Sequence, residues 1–201
     1  MTTVDYYFAP QSPWAYLGHQ RFVDITRAAD VKVRVLPVDL GGKVFPSSGG
    51  LPVGKPPPQR QAYRLLELKR YSEYLKAPLN LQPRYFPVAG DDAARLIIAV
   101  DMHDGTQEAL RIAGAVLSAC WAQERNIADA KVLAELLSEQ GLSAQRLEQS
   151  YSQAAHERYE ADTQAAIDVG VFGAPSYVVD GEIFWGQDRL DFLERKLKEL
   201  A

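Results

Sequence analysis

Two stretches decide the fold, Tyr6-Tyr7-Phe8-Ala9-Pro10-Gln11-Ser12-Pro13-Trp14-Ala15-Tyr16-Leu17 and, near the other end, Val171-Phe172-Gly173-Ala174-Pro175-Ser176-Tyr177-Val178-Val179. In the first, the apolar and aromatic run from Val4 to Phe8 reads as a buried strand. Ser12-Pro13 then opens a helix, with serine at the N-cap and proline at the first helical position, where its missing N–H costs nothing. In the second, a helix exit is followed by a Gly-x-Pro turn that opens another strand. A helix N-terminus facing a proline turn can hold an anion such as a thiolate. With a serine at the helix start, the sulfur would have to come from a small molecule.

Outward from the first stretch, Tyr16, Leu17, Phe22, Val23 and Ile25 carry an apolar helix face to about Ala29, and Val31 to Val38 is a second strand, parallel to the first if the helix is a crossover. Gly41-Gly42, Ser47-Ser48-Gly49-Gly50 and Pro56-Pro57-Pro58 make residues 41–58 a long irregular segment. From about Gln59 to Gly170 the pattern is nearly all helical. Strands return at Ser176 to Val179 and Glu182 to Trp185, flanking the hairpin signal Asp180-Gly181, and a last helix runs from about Asp188. The expected fold is α/β: a thioredoxin-like core (β-α-β … β-β-α) over residues 1–40 and 170–201, with a large all-helical insertion over 41–169.

The chain has 201 residues, 47% of them hydrophobic and 24% charged, enough to bury a core without staples. A net charge of -4 gives no basic field for nucleic acid. No apolar run approaches the roughly 20 residues that span a bilayer, and Met1-Thr2-Thr3-Val4 leads into a strand pattern without a signal-peptide pattern, so a cytoplasmic protein without a membrane partner is expected. Cys120 is the only cysteine, which excludes a C-x-x-C pair and leaves a dithiol oxidoreductase the weakest reading. Its small and apolar neighbours make it a packing residue. The three histidines, His19, His103 and His156, lack metal-ligand spacing.

Ser12 is the candidate catalytic residue: its hydroxyl can donate to a thiolate, lowering the thiol pKa from about 8.5, while still accepting a backbone N–H. Taken alone, it could equally be a helix cap. Pro175, if cis, would aim the Ala174 N–H and C=O at a bound cysteinyl backbone; the local alternative is a trans proline at a strand start. Gln187 or Asp188 could bind an ammonium and Arg189 a carboxylate, or Asp188 could be a cap and Arg189 a surface ion pair. Arg60, with Lys55 close by, could hold an anionic group or be a solvated helix-start arginine. Trp14, Tyr16, Trp185 and Phe86 could line a pocket for a planar substrate or belong to the core.

These residues resemble, from end to end, the 2-hydroxychromene-2-carboxylate isomerases and their relatives, the kappa-class glutathione transferases, within the DsbA-like thioredoxin superfamily. The resemblance is carried by Ser12-Pro13-Trp14-Ala15-Tyr16-Leu17, Phe172-Gly173-Ala174-Pro175 and Phe184-Trp185-Gly186-Gln187-Asp188-Arg189-Leu190. The last, with its tryptophan, is closer to the isomerases. Arg60-Gln61-Ala62-Tyr63 is similar to a lysine-x-x-tyrosine element of the family, and an asparagine frequent before the proline-rich turn has its best equivalent here at about Gly54. The resemblance implies a homodimer that binds glutathione as cofactor, with Ser12 on its thiolate, Gln187 and Asp188 at the glutamyl group, and Ala174 with Pro175 at the cysteinyl backbone. The implied reaction is reversible thiolate addition to an unsaturated pyruvate side chain, rotation about the resulting single bond, and elimination, on an aromatic or unsaturated acid. Two other expectations stay open: a kappa-like transferase that conjugates electrophiles irreversibly, and a non-catalytic glutathione-binding protein.

Overall fold

A computed structural model describes residues 2–50 and 57–200 of the chain. β1 (Thr3–Phe8), α1 (Pro13–Ala28) and β2 (Lys32–Pro37) form the first unit. β2 runs parallel to β1, with Thr3 opposite Lys32 and Phe8 opposite Pro37, as a crossover helix requires. β3 (Ser176–Val179) pairs antiparallel with β1, and β4 (Glu182–Trp185) antiparallel with β3, giving the order β2-β1-β3-β4. The hairpin turn has Asp180 at φ 49° and Gly181 at φ 78°, the two positive angles that let the strand twist continue.

Among the described residues, six helices lie between residue 57 and β3: α3 (Pro58–Leu75), α4 (Asp91–Asp104), α5 (Thr106–Trp121), α6 (Ala130–Glu139), α7 (Gln145–Gln149) and α8 (Gln153–Asp168). With α2 (Phe45–Ser48) before them, they form the helical insertion of a thioredoxin-like fold. The alternation of a strand splits the aromatic run of β1 between two cores. Tyr6 and Phe8 join Phe22 of α1 and Leu96, Ile97, Ile112 and Val116 of α4 and α5 in the larger one. Tyr7 faces the other way, with Leu36, Val44, Ala166 and Val178.

Residues 41–48 differ from the irregular segment that their glycines and serines predict. A π-helical turn, Leu40–Val44, runs straight into α2. Asp39 starts it, its Oδ1 accepting the Gly42 N–H at 2.7 Å while its own N–H donates to Thr163 Oγ1 at 3.0 Å. Fully buried Val44 anchors it below. One carboxylate and one apolar contact outweigh the loop-like composition here. Gly54 and Lys55 lie outside the described residues. At the C-terminal end, a 3-10 turn, Gln187–Arg189, occupies the expected helix start, and α9 proper runs Leu190–Leu200.

Candidate active site

The sheet register gathers the candidate residues at one end. Tyr7 of β1 pairs with Ser176 of β3. Pro175 therefore lies beside the carboxyl end of β1, where the chain turns into α1. The Ala174–Pro175 peptide is cis, so the reading of an ordinary trans proline at a strand start is corrected. Ser176 Oγ donates to the Gly173 carbonyl at 2.8 Å, and the Pro175 carbonyl accepts the Gly186 N–H at 2.9 Å. That second bond brings the exit of β4, and with it Gln187 and Asp188, to the same end.

Ser12 is the N-cap of α1, with φ -80° and ψ 122°, and its Oγ accepts the Ala15 N–H at 3.2 Å. Its own N–H donates to the Ala9 carbonyl at 2.9 Å. The side chain is nearly buried, and among the described residues its hydroxyl proton has no acceptor. Capping uses a lone pair and leaves the donor free, so the two roles weighed for Ser12 are compatible. An O–H donor at the positive end of a 16-residue helix suits a sulfur anion. By that donor set, the residues present fit a glutathione thiolate.

The other candidates divide. Gln187 is 2% exposed, its side chain packed against Gly18 of α1 and its Oε1 without a partner among the described residues. Asp188 is exposed beside it, and Arg189 Nη1 pairs with Asp188 Oδ2 at 2.6 Å. Trp185 is half exposed, stacked edgewise on Phe172 at 4.8 Å, and its Nε1 lies where a Cβ on Gly173 would fall, 2.4 Å away. Ala174 and Pro175 are buried beneath this turn. Arg60 is exposed at the start of α3. Trp14 meets Tyr71 of α3 edge-on at 6.1 Å, and the Tyr16 hydroxyl donates to the Pro78 carbonyl, so both tie α1 to the helical insertion. Phe86 packs on Trp121 at 4.7 Å. An open hollow of about 340 Å³ along β4, lined by Trp185, Arg189 and Phe192 among others, has neither Ser12 nor Pro175 in its wall.

Several residues of this region were not singled out by sequence reasoning. Trp121 Nε1 donates to the Gln11 carbonyl at 3.2 Å, immediately before Ser12. Arg64, one helical turn after Arg60, holds its guanidinium 5.4 Å from the Phe86 ring centre and 5.9 Å from that of Trp121. The i, i+4 spacing from Arg60 was the available signal. His19, two turns into α1, is buried, with Nε2 2.9 Å from the Leu110 carbonyl and Nδ1 3.2 Å from the Tyr6 hydroxyl. A carbonyl only accepts, so Nε2 carries the proton and Nδ1 accepts from Tyr6. Burial pushes the His19 pKa down to about 4. Cys120 is buried, and desolvation pushes its thiol up to about 12. Among the described residues, no group of His, Cys, Asp or Glu could hold a metal ion. Among the same residues, no helix is long and apolar enough to cross a membrane.

Residues 3–198 match the model of the DSBA-like thioredoxin domain, and the chain belongs to that family. Within it the chain belongs with the 2-hydroxychromene-2-carboxylate isomerases. Curated proteins of that name from Pseudomonas putida and Sphingobium xenophagum are 30% and 29% identical, the first over 98% of this chain and 95% of the relative, the second over 97% of each. A solved 2-hydroxychromene-2-carboxylate isomerase superposes with a TM-score of 0.79 at 27% identity, covering 98% of this chain and 95% of that one. The cytosolic disulfide reductase DsbM from Pseudomonas aeruginosa, solved with GSH, shares the fold at 18% identity and a TM-score of 0.70, over 98% of this chain and 99% of that one.

Proposed function

We propose that this protein is a glutathione-dependent cis-trans isomerase that converts 2-hydroxychromene-2-carboxylate, or a closely related aromatic acid, to trans-o-hydroxybenzylidenepyruvate, as a cytoplasmic homodimer. The observation that carries this reading is the Ser12 hydroxyl proton at the head of α1, without an acceptor among the described residues, at the end of the sheet where the cis Ala174–Pro175 turn lies. The names of the curated relatives supply the substrate class.

Glutathione, when bound, supplies the nucleophilic sulfur whose reversible addition lets the adjoining carbon–carbon bond turn. The chain's own residues then have three tasks. Ser12 donates its hydroxyl proton in a hydrogen bond to the sulfur anion while keeping its cap on Ala15, and the α1 dipole adds to that stabilisation. The Ala174 backbone, in the turn before β3, pairs with the extended tripeptide as one more strand would. Exposed Asp188 takes the glutamyl ammonium, and exposed Arg60 takes a carboxylate at the far side. The Gln187 side chain is packed into the fold, so its part is to set the turn that presents Asp188. No protein nucleophile is needed, in keeping with the buried, hard-to-ionise Cys120.

The test is to follow 2-hydroxychromene-2-carboxylate with and without glutathione and to recover the tripeptide afterwards. Isomer formation that requires glutathione and returns it unchanged supports the assignment. A permanent adduct would instead identify a kappa-like transferase, and binding without turnover of any electrophile a non-catalytic glutathione-binding protein.

A further inference from the structure

We propose that Arg64 is the anchor for the carboxylate of a planar aryl acid, held in a subsite that Phe86 and Trp121 form beside Gln11 at the head of α1. The proposal deepens the isomerase reading and rests on it for the identity of the physiological acid.

The guanidinium lies over two aromatic rings tilted 51° to one another, 5.4 Å from the centre of Phe86 and 5.9 Å from that of Trp121. Its Nη2 is sealed from solvent and has no hydrogen-bond partner among the described residues. Among the described residues no carboxylate offsets its burial, and desolvation lowers its pKa. Residues 51–56, Leu-Pro-Val-Gly-Lys-Pro, contain no acidic side chain to serve it either. Half burying a cation without a counter-charge is costly, and a bound anion removes that cost. The residue as a whole stays partly exposed, and that is the side from which an anion would approach the guanidinium.

A second orphan lies on Gln11, whose main chain touches Trp121 and whose side-chain amide packs against Gly90. Gln11 Oε1 is buried without a partner among the described residues, while the Gln11 carbonyl takes the Trp121 Nε1 proton at 3.2 Å. Two unsatisfied polar groups thus belong to residues that touch Trp121, which is itself fully buried, so a flat acid would lie against the partly exposed Phe86 and Arg64 with its polar margin toward them. Ser12 follows Gln11 directly, so an acid held here lies next to the hydroxyl assigned to the sulfur.

The test compares trans-cinnamate with trans-cinnamamide, the same flat body without the charge, binding to the full chain by tryptophan fluorescence and calorimetry. Arg64→Leu is expected to weaken cinnamate roughly 10- to 100-fold. Arg64→Lys should recover part of that loss. Cinnamamide affinity and glutathione affinity should not fall in either variant, and the melting temperature should change little, since the cation's contacts with the two rings are opposed by its unpaired burial. Equal cinnamate affinity in Arg64→Leu, no cinnamate binding to the folded wild type, or a loss that falls on glutathione instead would each overturn the proposal. Failure of the isomerase reading is distinguishable: cinnamate would still discriminate the variants while wild-type protein left the chromene carboxylate unchanged.

Discussion

Gly18 and Gln187 are packed so closely that a Cβ on Gly18 would stand 2.9 Å from the Gln187 Cβ and 3.0 Å from the Tyr177 hydroxyl. This contact seats the turn carrying Asp188 directly on the helix that Ser12 caps. Gly18→Ala should therefore cost about 1–3 kcal/mol by overpacking and lift that turn, although alanine is the better helix former. Urea unfolding checks the first effect and glutathione calorimetry the second. An unchanged midpoint with unchanged affinity would mean that the contact positions nothing.

Gly173 makes the opposite case. A Cβ there would fall 2.4 Å from Trp185 Nε1, but Trp185 is half exposed and can swing outward. Gly173→Ala should leave the unfolding free energy within about 0.5 kcal/mol of wild type, because the neighbour that must yield is a half-exposed ring. The indole emission should shift, and KM for an aromatic acid should change, because the ring that roofs the proline turn has moved. A large loss of stability would show that the ring is fixed rather than displaceable.

These contacts mark where the sequence was legible and where it was not. Strand, cap and crossover could be read around Ser12, because they depend on neighbours within a few positions: an aromatic run, a serine, a proline. The same holds for Asp180-Gly181, whose positive φ angles are a local demand. Arg64 and Gln11 escaped because each gains its meaning from Trp121, 57 and 110 positions away along the chain. Gln187 looked like a ligand for glutathione because it sits in a polar tetrapeptide, and only the glycine at position 18 draws its side chain inward. The turn at residues 40–44 escaped for the same reason: Thr163, on α8, supplies the partner that pins Asp39.

Cys120 is buried, and its thiol is held up at about 12. A thiol that is neither ionised nor exposed does not react at neutral pH. The native protein should therefore resist an aromatic disulfide reagent for hours and react only when unfolded. Cys120→Ala should keep glutathione-dependent turnover within about twofold, a change of under 1 kcal/mol in the barrier. Rapid native labelling would contradict the burial, and loss of turnover would place a protein sulfur in the chemistry.

His19 and Asp162 predict an acid response with two opposed parts. Burial lowers His19 from 6.5 to about 4, so between those values the unfolded chain binds a proton that the folded chain refuses. Its contribution is complete above pH 6.5 and is lost as pH falls toward 4. Asp162 is raised from 3.8 to about 6 by burial, which outweighs the attraction of Arg158. Its folded form holds the extra proton, so stability is gained as pH falls from 6 to 3.8. In wild type the two largely offset each other between pH 4 and 6. His19→Gln should leave the gain uncovered, with the urea midpoint rising on acidification from pH 6 to 4.5 relative to wild type. Asp162→Asn should leave the loss uncovered, with the midpoint falling over the same range. Parallel pH profiles for all three proteins would refute the assignment.

Ser12 can be asked which of its two bonds matters to the chemistry. Ser12→Ala removes both the acceptor that caps Ala15 and the hydroxyl donor. It should cost about 1 kcal/mol of stability. It should also lower turnover at neutral pH by about 10²- to 10³-fold, the usual loss when one donor to a developing anion is removed. The pH profile should move to higher pH, because the glutathione thiol would no longer be held ionised. Ser12→Asp separates the effects. Aspartate caps a helix as well as serine does, so stability should return. An ionised carboxylate only accepts, and its charge repels a thiolate, so turnover should stay as low as in the alanine variant or lower. If Ser12→Asp restored turnover together with stability, the hydroxyl would be a helix cap and nothing more, and the sulfur would have to be held by some other group.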